Sequence, residues 1–296
     1  MKISGLRYEG PIYRPPSESN SLLVQATIGC PHNRCTFCMV YKNAPNFRIR
    51  SVKEIKEDLL WASQNLKNSF ETVFFPAGNT IIMKTQDLIE ILSYTKELLP
   101  NVRRITVYGS AQYIFKKSLD DFKKIHEAGL SRIHVGLESG DNEILKRVKK
   151  GSTDEIQIKA GELVKKAGIE LSEYVVLGLG GKDRTIQHIN ETIKVLNCIN
   201  PDMIRIRTFL PKINTPLLED IKIGKFQLLS PHEILKETFN LIEGLEVTSK
   251  IYSDHYTNYI QVNGKLPEDK NEMLSRIKQA LNLDESCYRD VYIGAE

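Results

Sequence analysis

The chain has 296 residues, 41% of them apolar and 26% charged, and carries a formal net charge of +4. Those values suit one large α/β domain with an appendage and argue against a disordered or fibrous chain, while the scattered positive charges neither exclude nor indicate a nucleic-acid-binding surface. Because no apolar leader and no run of roughly 18 apolar residues is present, we expect a cytoplasmic protein that does not cross a membrane.

Strand and helix patterns alternate along most of the chain. Residues 1–20 contain Gly-Pro and Pro-Pro pairs and are predicted to form an irregular arm. Six strands are expected at 22–28, 71–76, 102–108, 131–137, 170–177 and 203–210. Helices are predicted between them at 52–66, 86–99 and 118–129. A short helix ending at about 149 and two longer helices along Ile156–Ala167 and Ile186–Leu196 follow. This alternation is typical of parallel βαβ units, so the expected fold is α/β, an open parallel (βα)6 partial TIM barrel.

Local signals refine this division of the chain. Ser51 and Glu54 predict a capping box for the first helix, which is expected to bury Ile55, Leu59 and Leu60. Residues 218–296 show helices near 230–243 and 267–282 and a strand around 246–252, without a core of their own. We therefore expect a core domain at 1–217 and a C-terminal extension at 218–296 that packs on the barrel.

A cysteine cluster follows the first expected strand. Cys30, Cys35 and Cys38 lie within nine residues, and clustered thiols in a loop are typical metal ligands. His32 would complete a four-ligand zinc site, whereas a [4Fe–4S] cluster held by three cysteines leaves one iron open. The spacing alone leaves both metals open. Only two further cysteines remain, so we expect a single cluster, with Cys198 as a small buried hydrophobe.

Three strand ends after the cysteines carry further signals, at Pro76–Asn79, Val135–Gly140 and Val176–Gly181. Together with the cysteines, these motifs resemble the radical S-adenosylmethionine (SAM) superfamily. The closest resemblance is to the core shared by elongator-type enzymes, tRNA methylthiotransferases and nitrogenase-cofactor maturases, and it covers roughly residues 20–217. The family usually has C-x3-C-x2-C, whereas four residues separate Cys30 from Cys35 here.

The resemblance implies an oxygen-sensitive radical SAM enzyme with one [4Fe–4S] cluster ligated by Cys30, Cys35 and Cys38. It implies reductive cleavage of SAM to methionine and a 5′-deoxyadenosyl radical that abstracts hydrogen from an unidentified substrate. A low-potential electron donor such as ferredoxin or flavodoxin is implied as partner. Two alternatives stay open, a tRNA-modifying member of the family and a non-catalytic zinc-stabilised binding protein.

The resemblance also assigns roles to matching residues. Phe37 matches the aromatic position whose main chain lies against adenine, and Ala77, Gly78 and Asn79 match the motif that holds the methionyl amine. Asn79 stands where the family often has a carboxylate. Glu138 and Ser139 match the position that contacts the ribose or carboxylate of SAM. Gly178 and Gly180 match the glycine motif whose backbone approaches adenine closely.

Two arginines share one face of the sixth expected strand. Arg207 lies nearer the catalytic end and is expected to bind SAM or an anionic substrate, whereas Arg205 is expected to pair with Glu173 on the neighbouring strand. Residues 254–256, Asp-His-Tyr, are a candidate lid cluster in the extension. Two arginines after the cysteine loop, Arg48 and Arg50, are expected to be surface or loop-bracing charges and not substrate ligands.

Overall fold

A mostly parallel sheet of eight strands is the central element of the fold. The computed structural model describes residues 5–66 and 70–294. Its strands are β1 Leu22–Leu23, β2 Thr27–Ile28, β3 Arg48–Ile49, β4 Thr72–Phe75, β5 Arg104–Gly109, β6 Leu130–Glu138, β7 Glu170–Leu177, β8 Met203–Thr208, β9 Lys250–Tyr252 and β10 Gly264–Lys265. The sheet order is β1-β4-β5-β6-β7-β8-β9-β10, and β2 pairs with β3 in a separate two-stranded sheet. The predicted parallel α/β class is confirmed.

Helices follow most of the parallel strands. They are α1 Val52–Asn65, α2 Thr85–Leu98, α3 Ala111–Ile114, α4 Leu119–Glu127, α5 Asn142–Arg147, α6 Asp154–Lys166, α7 Thr185–Ile199, α8 Pro216–Lys222, α9 Pro231–Gly244 and α10 Lys270–Leu281. The short helices α3 and α8 and the strand β10 were not predicted. Within the ranges that the structure describes, no helix is both long and apolar enough to span a bilayer.

The described residues fall into two compact units. The first contains the chain up to Asn33 together with Val40–Val135 and Leu163–Leu171. The second contains Arg34–Met39, Gly136–Glu162 and the chain from Ser172 onward. The expected division into a core at 1–217 and an extension at 218–296 stays a prediction, although β9 of the extension pairs in parallel with β8.

The single strand expected at 22–28 is wrong, because the chain changes partner within it. Leu22 pairs in parallel with Val73 of β4, whereas Thr27 pairs with Ile49 in an antiparallel ladder. Arg50 contacts the chain between the two strands, since its backbone N–H donates to the carbonyl of Ala26 and its guanidinium donates to the carbonyl of Gln25 at 2.7 Å. Arg50 is therefore a buried structural residue that binds the segment before the cysteines, not a surface charge, and an ion pair with Asp58 at 2.7 Å holds it there.

The capping box at the start of α1 is confirmed, but one predicted core residue is wrong. Ser51 and Glu54 exchange both capping hydrogen bonds, and Ile55 and Leu59 are fully buried. Leu60 is 39% exposed, because it lies 100° around the helix from Leu59 and outside the buried face. Ala62 occupies that face instead.

Cys198 was predicted to be buried and is exposed. The buried face of α7 is formed by His188, Ile189, Thr192, Val195, Leu196 and Ile199. At 100° per residue, position 198 falls outside that face.

The arm before β1 ends in a buried carboxylate. Glu18 closes a short 3₁₀ helix, Pro16–Glu18, and its side chain is fully buried. The carboxylate accepts a hydrogen bond from Ser21 at 2.6 Å and pairs with Arg104 and Arg132, each at 3.3 Å. Residues 1–4 of the expected arm lie outside the described residues.

Glu18 is expected to make the protein sensitive to acid. Burial alone would raise its pKa, but hydrogen bonds from His134 and Ser21 and the charge of Arg104 outweigh burial and lower the pKa to about 2. Because the folded pKa lies below the unfolded value, this stabilisation is present above about pH 4.5 and is lost as the pH falls towards 2. The shift corresponds to roughly 3 kcal/mol.

Urea unfolding at pH 6.5 and pH 3 measures this effect. The wild-type protein should lose more unfolding free energy between the two pH values than Glu18→Gln, which does not titrate. Equal losses in both proteins would contradict a role for the Glu18 charge.

Candidate cluster and cofactor site

The cysteine loop begins at a backbone turn in the first unit. Gly29 has φ 69°, and a Cβ at this position would lie 2.9 Å from the carbonyl oxygen of Pro45. Only glycine tolerates both the left-handed backbone and the close approach. The next residue, Cys30, accepts a hydrogen bond at Sγ from the backbone N–H of Asn33 at 3.4 Å. Such N–H···S bonds are one of the means by which proteins tune iron–sulfur clusters.

The rest of the loop belongs to the second unit. The backbone N–H of Thr36 donates to the carbonyl of Val148 at 3.0 Å, and the carbonyl of Thr36 accepts from Leu217 N–H at 3.0 Å. Phe37 packs against a buried apolar cluster formed by Ile144, Val148, Val176, Leu179, Phe209, Leu217 and Phe226. The segment that carries Cys35 and Cys38 is therefore held at both its backbone and its aromatic side chain.

A buried lysine lies near Cys35 and Cys38. Lys150 Nζ donates to Glu138 Oε1 at 2.7 Å, and both side chains are largely buried. Burial alone would lower the pKa of Lys150, but the charge of Glu138 and those of the Cys35 and Cys38 thiolates outweigh burial and raise the pKa. The Lys150 ammonium therefore places a buried positive charge near the two sulfurs of Cys35 and Cys38.

The donor set of the loop fits an iron–sulfur cluster. Cys30, Cys35 and Cys38 form no disulfide and are partly exposed, and soft thiolates are the ligands that such clusters take. One sulfur accepts a backbone N–H, and two lie near the Lys150 ammonium. Over residues 5–66 and 70–294, no three Cys, His, Asp or Glu side chains are grouped as ligands of a single metal ion.

The loop after β4 approaches the cysteine loop within the first unit. Gly78 donates its backbone N–H to the carbonyl of Gly29 at 3.0 Å, and a Cβ on Gly78 would lie 2.8 Å from the Cα of Cys30. Ala77 has φ 87°, a conformation that side chains rarely adopt and that recurs at ligand-binding sites. The structure thus brings Ala77 and Gly78 beside Cys30.

Asn79 carries an unused hydrogen-bond acceptor. The side chain is 1% exposed, and its amide nitrogen donates to Ser110 Oγ at 2.8 Å. Its Oδ1 atom is buried and accepts no hydrogen bond from any described residue. A buried acceptor without a donor is costly, and the amine of SAM is a donor that would satisfy it.

Asn79→Ala is therefore expected to weaken SAM binding by about 0.5–1.5 kcal/mol, the net value of one hydrogen bond. Equilibrium binding of SAM to the anaerobically reconstituted protein measures the change. Asn282→Ala, at an exposed position after α10, serves as the control and should bind SAM like the wild type. An unchanged SAM affinity in the Asn79 variant would show that the Asn79 side chain does not bind the amine of SAM.

Glu138 and Ser139 end β6 in different surroundings. Glu138 has φ 64° and pairs with Lys150. Ser139 is fully buried, and its hydroxyl is bound to His188 Nδ1 at 2.9 Å and accepts the backbone N–H of Asp141 at 3.1 Å. The Ser139 side chain therefore fixes the strand end, and its contact with SAM stays a prediction.

The glycine segment after β7 is shaped by α9. Gly178 has φ 77°, and a Cβ there would lie 2.8 Å from the side chain of Ile234. Its backbone N–H donates to Glu237 Oε2 at 2.7 Å. At Gly180, a Cβ would lie 3.0 Å from the carbonyl oxygen of Arg184. Backbone conformation and packing thus account for both glycines, and their approach to adenine stays a prediction.

The predicted pairing of Arg205 with Glu173 is wrong. Tyr174 lies opposite Arg205 in the β7–β8 register and Glu173 lies opposite Ile204, so the strands are offset by one residue from the expected register. Since successive residues of a strand face opposite sides of the sheet, Glu173 and Arg205 lie on opposite faces. Arg205 pairs instead with Asp254 at 2.9 Å.

Two buried residues, Lys150 and Glu237, were not identified from the sequence, and a third, Glu173, was assigned another role. Burial raises the pKa of Glu173 to about 8, although the Lys150 charge opposes the shift, so its carboxyl is protonated at neutral pH. Lys150 follows another lysine and Glu237 lies in an ordinary amphipathic helix, so neither had a local pattern to distinguish it. Glu173 was singled out only as a partner for Arg205.

Comparison with known proteins decides the family. A model described as Radical SAM superfamily matches residues 24–196, which is more than half of the chain. The chain belongs to the radical SAM superfamily. Radical SAM enzymes use a [4Fe–4S] cluster and SAM, so this chain is an enzyme that cleaves SAM reductively at such a cluster and needs an electron donor. The alternative of a non-catalytic zinc protein is not supported.

Individual relatives are distant. An uncharacterized protein of Methanocaldococcus jannaschii is 22% identical over 270 residues, covering 87% of this chain and 83% of that protein. The tRNA uridine(34) acetyltransferase of Methanocaldococcus infernus is 27% identical over 188 residues, which is 62% of this chain but 34% of the relative. The crystal structure of methylornithine synthase has a TM-score of 0.52 at 18% identity, covering 90% of this chain and 84% of that structure. At this identity, the similarity to methylornithine synthase shows a shared fold only.

Proposed function

We propose that Cys30, Cys35 and Cys38 ligate the cluster and that Ala77, Gly78 and Asn79 receive the methionyl amine of SAM. When bound, the cluster supplies the electron that splits SAM into methionine and a 5′-deoxyadenosyl radical, which takes hydrogen from the substrate. The observation that carries this proposal is the buried, unused Oδ1 of Asn79, in a loop whose Gly78 lies against Cys30.

The surrounding residues have supporting tasks in this proposal. Lys150 places a positive charge beside Cys35 and Cys38 and pairs with Glu138. Phe37 anchors the cysteine loop in the apolar cluster, which leaves its main chain for adenine. Glu138 and Ser139 are proposed to contact the ribose or carboxylate of SAM, and Gly178 and Gly180 to lie beside adenine. Arg207 is proposed to bind an anionic group of SAM or of the substrate.

The proposal is tested by anaerobic purification, reconstitution and reduction with dithionite in the presence of SAM. We expect about four irons per chain and formation of 5′-deoxyadenosine, whether or not a substrate is present. Cys198→Ala, which removes an exposed cysteine outside the loop, is the matched control and should retain both properties. A reconstituted protein that holds iron but forms no 5′-deoxyadenosine would contradict the proposed cleavage.

A second candidate function is modification of tRNA. It is favoured by the similarity to the tRNA uridine(34) acetyltransferase, although the chain spans about a third of that protein. The formal net charge is only +4 and the basic residues are scattered along the sequence, a distribution that does not favour RNA binding. Filter binding of host tRNA to the reconstituted enzyme, with salt dependence, separates the two functions.

Further parts of the proposal concern the protein's partner, location and domains. A ferredoxin or flavodoxin is proposed as the electron donor, since cluster potentials in this chemistry reach the low end of a range that extends to about −700 mV. Reduced thiols and an oxygen-sensitive cluster suit the cytoplasm. We also propose residues 1–217 as the family core and residues 218–296 as its extension.

A further inference from the structure

Arg207 is a half-buried cation without a carboxylate partner among the described residues. It lies one residue before the end of β8, and its guanidinium stacks over the ring of Tyr174 at 4.8 Å. No Asp or Glu of residues 5–66 or 70–294 forms an ion pair with it, whereas the neighbouring Arg205 pairs with Asp254 at 2.9 Å. A partly desolvated guanidinium of this kind has several N–H donors left for a ligand.

Two more donors accompany Arg207. Lys212 follows β8, donates to the Tyr256 hydroxyl at 3.3 Å, and has no carboxylate partner in the part of the chain that the structure describes. The ring of His255 packs against that of Tyr256 at 4.5 Å between centroids. Burial lowers the pKa of His255 to about 4, with further lowering by the charges of Arg207, Lys212 and Arg205, so the imidazole is neutral at pH 7.

The hydrogen bonds of His255 fix which nitrogen carries the proton. Thr257 contacts Nδ1 with its Oγ1 at 2.8 Å and donates its backbone N–H to the same nitrogen at 3.3 Å, so Nδ1 is assigned as the acceptor and the proton to Nε2. The Nε2–H group has no hydrogen-bond acceptor among the described residues. His255 is therefore a neutral donor placed among cations.

The charges at this end of β8 do not balance. Arg205, Arg207 and Lys212 are cationic and all act on His255, whereas Asp254 is the one carboxylate paired with any of them among the described residues. An excess of fixed positive charge beside partly buried side chains favours an anion.

The segment that carries Asp254 and His255 is held firmly against β8. Asn258 donates from its amide nitrogen to the carbonyl of Ile206 at 2.8 Å and to the carbonyl of Ser253 at 2.9 Å, and Thr208 Oγ1 donates to Asn258 Oδ1 at 3.0 Å. A site built on such a fixed segment needs little ordering when a ligand binds. The donors are thus preorganised at the carboxyl end of a barrel strand, where this class of fold builds its sites.

We propose that Arg207, Lys212 and His255 form the substrate subsite for an oxyanion, the carboxylate or phosphate group of a small-molecule substrate. This inference rests on the proposed function, which supplies the radical chemistry, and it assigns Arg207 to the substrate and not to SAM. Charge-assisted hydrogen bonds from Arg207 and Lys212 would bind the anion, and His255 Nε2–H would orient it.

The test uses the anaerobically reconstituted holoenzyme and isothermal titration with three probes: inorganic phosphate, acetate and SAM. Arg207→Met and Lys212→Met are each expected to weaken binding of at least one of the two small anions by tenfold or more, without changing SAM affinity. Arg276→Met, on the exposed side of α10, removes the same charge and should bind every probe like the wild type. Preferential loss for phosphate or for acetate identifies which group the subsite takes.

Two results would overturn the inference. One is wild-type holoenzyme that binds neither phosphate nor acetate at millimolar concentrations. The other is a loss of SAM affinity in Arg207→Met with unchanged binding of both small anions, which would assign Arg207 to the carboxylate of SAM. Formation of 5′-deoxyadenosine is measured in the same preparations, so a failure of the proposed function itself is seen in the wild type and is not confused with either result.

Discussion

Replacement of Cys30, Cys35 or Cys38 by alanine is expected to abolish both the bound iron and all cleavage of SAM. Each thiolate is proposed to hold a different iron, and two remaining thiolates do not retain a four-iron cluster that still needs one open iron for SAM. Iron content and the visible absorption of anaerobically reconstituted protein measure the first effect, and 5′-deoxyadenosine measures the second.

His32→Ala is the informative companion to the cysteine variants. It should retain the wild-type iron content, since His32 has no place in a three-cysteine site. If His32→Ala and each cysteine variant lost a metal together, a four-ligand zinc centre would be the better description. Cys198→Ala should retain iron, which would show that iron is lost only when a cysteine of the loop is removed.

The second large effect is expected from Asp254→Ala, which should lower the unfolding free energy by about 3 kcal/mol. The side chain of Arg205 is 5% exposed and that of Asp254 is 29% exposed. Removing Asp254 therefore leaves a buried guanidinium, held over the rings of Tyr174 and Tyr252, without its anion. Arg205→Met should cost less, because Asp254 is exposed enough to be hydrated.

Denaturant unfolding of the two single variants and the double variant measures this asymmetry. The double variant removes both charges and should be more stable than Asp254→Ala alone. If the double variant lost the sum of the two single effects, the buried ion pair would not be the source of the stability. Cleavage of SAM per folded molecule should stay near normal in Arg205→Met.

The sequence was sufficient for most of the order of strands and helices, because most of the parallel strands are followed by a helix with a clear apolar period. It did not predict the partner of a strand. At the break between β1 and β2, Arg50 from a later segment donates to the carbonyl of Gln25. A contact of this kind leaves no periodic pattern in the sequence.

The sequence likewise predicted the local motifs of the candidate site but not the register of its strands. The cysteines and the glycine-rich strand ends have local patterns, so the sequence identified them as a set. The register of β7 against β8 differs by one residue from the expected one, which places Glu173 and Arg205 on opposite faces. Register depends on how two strands pack, and the apolar pattern of buried strands does not determine it.

The hydrogen bond between Glu237 and the backbone of Gly178 makes the glycine segment dependent on a residue 59 positions later in the chain. The second oxygen of the same carboxylate accepts from Thr185, so one side chain of α9 holds both ends of the turn into α7. Deuterium uptake at the Gly178 amide would consequently report the opening of α9. A chain shortened to residues 1–217 would keep its cysteines but lose Glu237. The Gly178 amide, at the strand end proposed to lie beside adenine, would then lose its protection from deuterium exchange.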